Sequence, residues 1–365
     1  MKNEHDLFHN NNFDLIRLGT AMLVLLNHSF VHLHVPIPGW YTVVQQFQPV
    51  PMFFIMSGFL ISASLERNKN LNQYFTNRFS RIFPALWMCV LLTLFIFSAF
   101  GGVDFFHIET VPWLIAQCVG FIYTPAFLDQ FGYGSYNGSL WTLVVELQFY
   151  LILPVIFMVF RRLHLQSNLY FILLLVIAMV VAFLVRSPYL MAITSPAMQK
   201  IARYSLSSHA FLFIAGVLLQ RYKVYRYSIV RGKAFYWGIA FLIFTYFIIP
   251  SPQGYMFSML LLACFTISLA YTVPGLATKW LAKRDISYGI FLYHGIPLSL
   301  LVEWKFSGSL WYLVLVCGVT CLFAWFSFSF VESPAMDWAK KRNAVLTLVQ
   351  KNKLPSPDKM VEHPL

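Results

Sequence analysis

The stretch FDLIRLGTAMLVLLNHSFVHL, residues 13–33, reads as a membrane-crossing helix that carries Arg17 and His28 among apolar side chains. Eleven residues make about three helical turns, so both groups fall on nearly one face, about 16 Å apart along the axis. Ionisable side chains within a span are costly and face the protein interior or a wet cavity. The pair therefore marks a polar path into the bilayer, and the rest of the chain is read outward from it.

The surrounding composition fits a membrane. Of 365 residues, 59% are hydrophobic and only 11% charged, whereas a soluble domain is about one quarter charged. Apolar runs of near-spanning length recur at 13–34, 44–65, 82–101, 139–160, 168–186, 204–220, 234–250, 255–273, 286–304 and 310–331. They predict an all-α fold, a polytopic helical bundle of about ten transmembrane helices.

A further apolar segment, 111–128, is broken by Gly120 and Pro125. Charge places it. With a cytoplasmic N-terminus and no crossing by 111–128, Arg186, Lys200, Arg203 and Lys305 fall outside and Arg17 lies in a span. Every other cation of the 26 Lys and Arg is then cytoplasmic, as the positive-inside rule requires. A crossing by 111–128 would invert every later loop, so it is expected to be re-entrant or interfacial. The resulting plan is a cytoplasmic N-terminus (1–12), a membrane domain (13–334) and a cytoplasmic basic tail (335–365). From about Asn343 the tail has no core-forming pattern and is expected to be loose. No short apolar run with a small-residue cleavage site precedes the first span, so no signal peptide is expected.

The net charge of +12 follows from cytoplasmic loops, and no nucleic-acid partner is expected. The five cysteines lie in apolar runs without ligand spacing, so neither disulfide nor metal is assigned.

Several polar residues could carry chemistry. His28 lies about 20 Å from the cytoplasmic start of its span, and Glu146, in NGSLWTLVVELQFYLILP, about 10 Å below the outer surface, so their depths match. A carboxylate beside an imidazole fixes its tautomer and raises its basicity, as a general base needs. The alternative is that Glu146 pairs with another polar group and holds the bundle together. The loop containing QYFTNRFSRIFP concentrates Arg78 and Arg81 at the cytoplasmic face. There they serve topology and lipid phosphate, or an anionic ligand such as a nucleotide-bearing acyl donor, with Arg17 continuing the path inward.

In PVPMFFIMSGFLIS, Gly58 is placed for close helix approach. Ser57 is placed to bond a substrate carbonyl or its own backbone. SYGIFLYHGIPL puts His294 about 12 Å in from the cytoplasmic side, as a structural or substrate-binding group. Glu332, in FVESPAMDWAKK, reads as an ion-pair partner, and His32 and His34 lie at the outer mouth. No Ser/His/Asp signature, Walker loop or zinc spacing is present. That favours direct transfer, in which a bound hydroxyl attacks an activated acyl group.

In this order the pieces resemble the acyltransferase-3 family of integral membrane acyltransferases, over about Asp14 to Pro334. The most specific element is the Arg-x10-His pattern of Arg17 and His28. It is joined by FFIMSGFLI, FTNRFSRIFP, SLWTLVVELQFYLILP, SYGIFLYH and VESP. The family often has two adjacent carboxylates before Gln-Phe-Tyr. Here the second position is Leu147, so Glu146 alone carries any role placed there.

The resemblance implies a ten-span core in a bacterial inner membrane and O-acyl transfer, most often of acetyl from acetyl-CoA, to a glycan or polysaccharide hydroxyl of the envelope. It also implies that Arg17 and His28 are needed for activity. On this reading His28 and Glu146 are catalytic, and Arg17, Arg78, Arg81, Ser57 and His294 bind substrate. An acyl-CoA is the donor substrate, and no cofactor is held permanently. The competing class is a transporter or flippase that uses the same intramembrane charges for a substrate path.

Overall fold

The computed structural model describes residues 8–67, 70–121, 123–134, 137–247, 252–281 and 284–353. Residues 1–7 and 354–365, with Lys69 and Lys283 of the charge count, lie outside the described residues. Among those described every regular element is helical.

The first span is α1 (Phe13–His32), followed by α2 (Gly39–Gln46), α3 (Pro49–Arg67) and α4 (Leu71–Gly101). Helix α4 begins well before residue 82, where the apolar run starts. The Asn70 side chain accepts from the backbone N–H groups of Asn72 at 3.0 Å and Gln73 at 3.3 Å, which satisfies two of the unpaired donors of a helix start. QYFTNRFSRIFP is therefore helix rather than loop. Arg78 and Arg81, three residues apart, share one of its faces.

The segment 111–128 holds α5 (Thr110–Cys118) and α6 (Ala126–Asp129). Nine residues rise only about 13 Å, less than half a bilayer core. Next come α7 (Trp141–Arg162), α8 (Asn168–Arg186), α9 (Pro188–Ile193), α10 (Pro196–Arg203), α11 (Ala210–Arg221), α12 (Ala234–Phe247), α13 (Pro252–Ala270) and α14 (Leu276–Leu281). Last are α15 (Ser287–Tyr293), α16 (Gly295–Glu303), α17 (Leu310–Ser327) and α18 (Ser333–Lys353).

Six stretches are long and apolar enough to cross a membrane: Phe13–His32, Gly39–Arg67, Leu71–Gly101, Gly138–Arg162, Asn168–Arg186 and Leu310–Thr347. The other four expected spans hold apolar helices that are shorter or interrupted. The 204–220 run loses its first turn because Ser205 and Ser208 hydroxyls cap the Ala202 carbonyl. The 286–304 run breaks at His294. Pro297 has no N–H for the carbonyl four residues earlier, Tyr293, where α15 ends.

The polar C-terminal stretch departs from the loose tail expected from Asn343. Residues to Lys353 continue α18, docked on α4 by Arg342–Thr76 at 3.1 Å, Asn343–Asn77 at 2.8 Å and Gln73–Thr347 at 2.9 Å. Polar side chains on two helices satisfy one another there, which a pattern based on apolar residues does not register.

The centre of the core is the crossing of α3 and α11. A Cβ on Gly58 would meet the Phe213 carbonyl oxygen at 2.0 Å, and one on Gly216 would meet the Ile55 oxygen at 2.2 Å. The two backbones touch through reciprocal glycines, the small-residue contact that substitutes for hydrophobic drive between membrane helices. Neither obstacle is a side chain that can swing away. Gly58→Ala is therefore expected to lower stability by about 1–3 kcal/mol or more, read as a lower Tm of the detergent-purified protein. An unchanged Tm would refute the close crossing.

Candidate active site

Helices α1 and α15 run parallel, and the 285–294 segment meets both polar residues of the first span. At one end Arg17 donates to Asp14 at 2.8 Å and to Asp285 at 3.4 Å. At the other, His28 Nδ1 lies 3.2 Å from His294 Nε2. The shared face inferred from an eleven-residue spacing is the face that packs on this segment.

His294 is fully buried, and its protonation pattern follows from its neighbours. Its Nδ1 faces the carbonyl oxygens of Phe291 at 2.9 Å and Ile290 at 3.3 Å. Carbonyls only accept, so Nδ1 carries the proton and Nε2 of the neutral ring is an acceptor. The close His28 Nδ1 must then donate to it, which leaves the lone pair of His28 on Nε2. Ser139 Oγ closes the triangle, 3.3 Å from His294 Nε2 and 3.5 Å from His28 Nδ1. The helix break after Tyr293 lets the His294 ring bond back to its own α15 carbonyls while facing α1. The result is an imidazole with a fixed tautomer and an available base nitrogen.

Glu146 is not part of this pair. One of its oxygens accepts from Ser57 Oγ at 2.6 Å and from the Tyr150 hydroxyl at 2.5 Å. The depth argument brought Glu146 level with His28. Helix rotation decides the rest: the side chain faces α3 and the arginines, and the partner of His28 is His294. Ser57 is likewise held by Glu146, a third option beside the substrate carbonyl and its own backbone.

Below the histidines, toward Arg17, a hollow of about 800 Å³, counting space open to the surroundings, is lined by Arg17, Arg78, Arg81, Ser57, Glu146 and Tyr150, with Phe53 and Phe291 in its wall. Arg81 bonds Asp285 at 3.1 Å, so Asp285 bridges two arginines. The Arg78 guanidinium sits over the rings of Tyr74 at 5.7 Å and Tyr150 at 5.4 Å. Its Nε is buried without a hydrogen-bond partner among the described residues. A buried cationic donor without an acceptor is costly, and an anionic ligand in this cavity would satisfy it. Phe53 and Phe291 pack edge to face at 6.2 Å. Phe291 supplies the carbonyl that orients His294, so the cavity ends next to the histidine pair.

The structure thus joins His28 with His294, and Arg17, Arg78, Arg81, Ser57 and Glu146 around one cavity. Sequence reading missed Asp285, Ser139 and Tyr150. Asp285 had a signal, an acidic residue immediately before the apolar run that carries His294. Ser139 and Tyr150 had none beyond their place in the Glu146 motif. Glu332 is buried and bonds Ser327 at 3.0 Å, which in turn receives the Tyr293 hydroxyl at 2.9 Å. No ion pair of Glu332 occurs among the described residues.

The chain is 29% identical to "Nodulation protein 10" of Rhizobium leguminosarum bv. viciae, over 92% of this chain and 95% of that protein. It is 26% identical to an "O-acetyl transferase" of Shigella phage Sf6, over 86% of this chain and 92% of that one. Against "Peptidoglycan O-acetyltransferase OatA" of Listeria monocytogenes the identity is 27%, over 78% of this chain and 50% of that protein. No solved structure matches. The profile of the acyltransferase-3 family, described as an acyltransferase domain, matches residues 10–330, which include every residue of the histidine pair and the arginine cavity: the chain belongs to the acyltransferase-3 family.

Proposed function

We propose that this protein is a membrane O-acetyltransferase that takes acetyl-CoA from the cytoplasm and acetylates a glycan hydroxyl toward the outer side of the bilayer. The observation that carries the reading is a base-competent His28, set by His294, beside a cavity with three arginines and an unsatisfied buried donor. The names of the phage and Listeria relatives support the acetyl group and the hydroxyl acceptor. The asymmetry of Lys and Arg supports the sidedness.

In this mechanism Arg17, Arg78 and Arg81 hold the anionic part of the donor, and the thioester lies beside Phe53 and Phe291. His28 Nε2 takes the proton of the acceptor hydroxyl as its oxygen attacks the thioester carbonyl. The carbon–sulfur bond breaks, the ester forms, and the proton on His28 passes to the departing thiolate. His294 accepts the His28 Nδ1–H bond throughout and keeps Nε2 aimed at the acceptor. It acts as a positioning residue.

Replacing His294 tests that role. His294→Phe keeps the bulk but offers no acceptor, and kcat is expected to fall about 100-fold or more with the donor KM unchanged. His294→Gln, whose amide oxygen can take the same bond, should retain more activity than the Phe variant. Equal losses in both would reduce His294 to a packing group. The overall reading is tested with radiolabelled acetyl-CoA and envelope glycan. Label should enter the glycan as an alkali-labile ester, and coenzyme A should raise the Tm of the purified protein. Glycan movement across vesicles without label transfer would overturn it in favour of a transporter.

A further inference from the structure

The geometry points to an acceptor site, separate from the arginine cavity, that takes a glycan joined to a membrane lipid through a phosphate group. The inference rests on the acyl-transfer reading and on its sidedness. It starts from a charge anomaly. Of the four cations placed outside, Arg186, Lys200 and Arg203 border two adjoining hollows at the ends of α8 and α10. The hollows, about 940 and 1380 Å³ counting space open to the surroundings, share Trp141 and Tyr204.

The first hollow holds the two arginines, and Lys200 stands at the second. Arg186 is aimed by a 3.2 Å bond to the Ser208 carbonyl and by the Tyr255 ring 4.7 Å away. Lys200 and Arg203 are exposed and pair with no carboxylate among the described residues. These cations stand on the face that the positive-inside trend leaves poor in them, and guanidinium forks suit phosphate oxygens.

The second hollow suits a polyhydroxylated ring. Gln148 Oε1 is taken by the Leu206 N–H at 2.8 Å, which leaves its amide hydrogens for a ligand. The exposed Asp129 carboxylate adds acceptors, and the Trp141 and Tyr204 rings, 5.4 Å apart, offer faces to sugar C–H groups. The wall ends at Asn137 and Gly138, one residue before Ser139, which touches both histidines. Helix α7 divides the two ligands. Trp141, Val144 and Gln148 face the outer hollow, and Thr142, Glu146 and Tyr150 the arginine cavity.

Lipid contact completes the order. Ile193, Met198 and Ile201, on and beside α10, are 64%, 59% and 70% exposed. They present an apolar surface next to the cations, as interfacial helices do. Apolar surface, then cations, then a sugar-like lining, then the histidine pair is the sequence of a lipid tail, an anionic linker, a sugar and a reacting hydroxyl. An anion that links a lipid alcohol to a sugar is a phosphate ester.

The test is binding in neutral detergent, with farnesyl-diphosphate-linked N-acetylglucosamine as probe and the neutral farnesyl glycoside of the same sugar as comparison. The diphosphate probe should raise the Tm and the neutral glycoside should not. Lys200→Gln with Arg203→Gln, both at exposed positions, should weaken the probe about tenfold or more, while Lys305→Gln leaves it unchanged. Coenzyme A binding should be the same in all of these variants. Equal binding of the neutral glycoside, or equal displacement by phosphatidylglycerol, would overturn the proposal and leave an ordinary lipid contact. Because the readout is binding, it stands apart from the labelled-acetyl experiment. A protein that binds the probe but transfers no acetyl sinks the acyl-transfer reading alone.

Discussion

His28→Ala is expected to abolish acetyl transfer while leaving the donor bound. A general base contributes about 10²–10⁴-fold to rate, and the bond from His28 Nδ1 to His294 leaves His28 Nε2 as the nitrogen that takes that role. A kcat at least about 1000-fold below wild type is therefore expected, measured with labelled acetyl-CoA on purified protein. Coenzyme A should still raise the Tm, because Arg17, which would help hold it, lies about 16 Å along the helix from position 28, and Arg78 and Arg81 stand on another helix. Folding should also survive, since His28 is only partly buried. A purified His28→Ala protein that acetylates acceptor at the wild-type rate would remove His28 from the chemistry.

Arg17→Gln is expected to fail in the complementary way, through the donor. Losing one charge-assisted contact to a phosphate costs about 1.5–3 kcal/mol, or a donor KM raised roughly 10- to 150-fold, with a smaller change in kcat. Stability should fall as well. Asp285 would keep its bonds from Ser287 but only one cation partner among the described residues, Arg81 at 3.1 Å, and its side chain is just 15% exposed. Removing one partner of a buried ion pair is destabilising because it leaves charge uncompensated. Pairing Arg17→Gln with Asp285→Asn separates the effects: the double variant should regain Tm but not donor affinity. A double variant that regains both would make Arg17 a structural partner of Asp285 and nothing more.

The contrast between Glu146 and His294 shows where sequence reading stops. Depth in the bilayer follows from residue count along a helix, and counting put Glu146 level with His28. Whether two side chains at one depth meet depends on how each helix is turned about its axis and which helices are neighbours. Those angles are set by packing such as the Gly58–Gly216 crossing, in which Gly58 is legible as a close-approach residue but its partner is not. The same holds for Arg78, whose positive charge was plain but whose place between Tyr74 and Tyr150, with an unsatisfied Nε, exists only in the folded bundle.

The sequence by itself determined the all-helical membrane class and the common face of Arg17 and His28. Each of these depends on hydropathy or helical periodicity, which act within one segment. Only the tertiary structure decided that His294 orients His28, that Asp285 bridges Arg17 and Arg81, and that Glu146 belongs with Ser57 and Tyr150. Those pairings join residues from 89 to 268 positions apart for all but the Glu146–Tyr150 contact. They depend on the rotation and contact of separate helices, which no local pattern encodes.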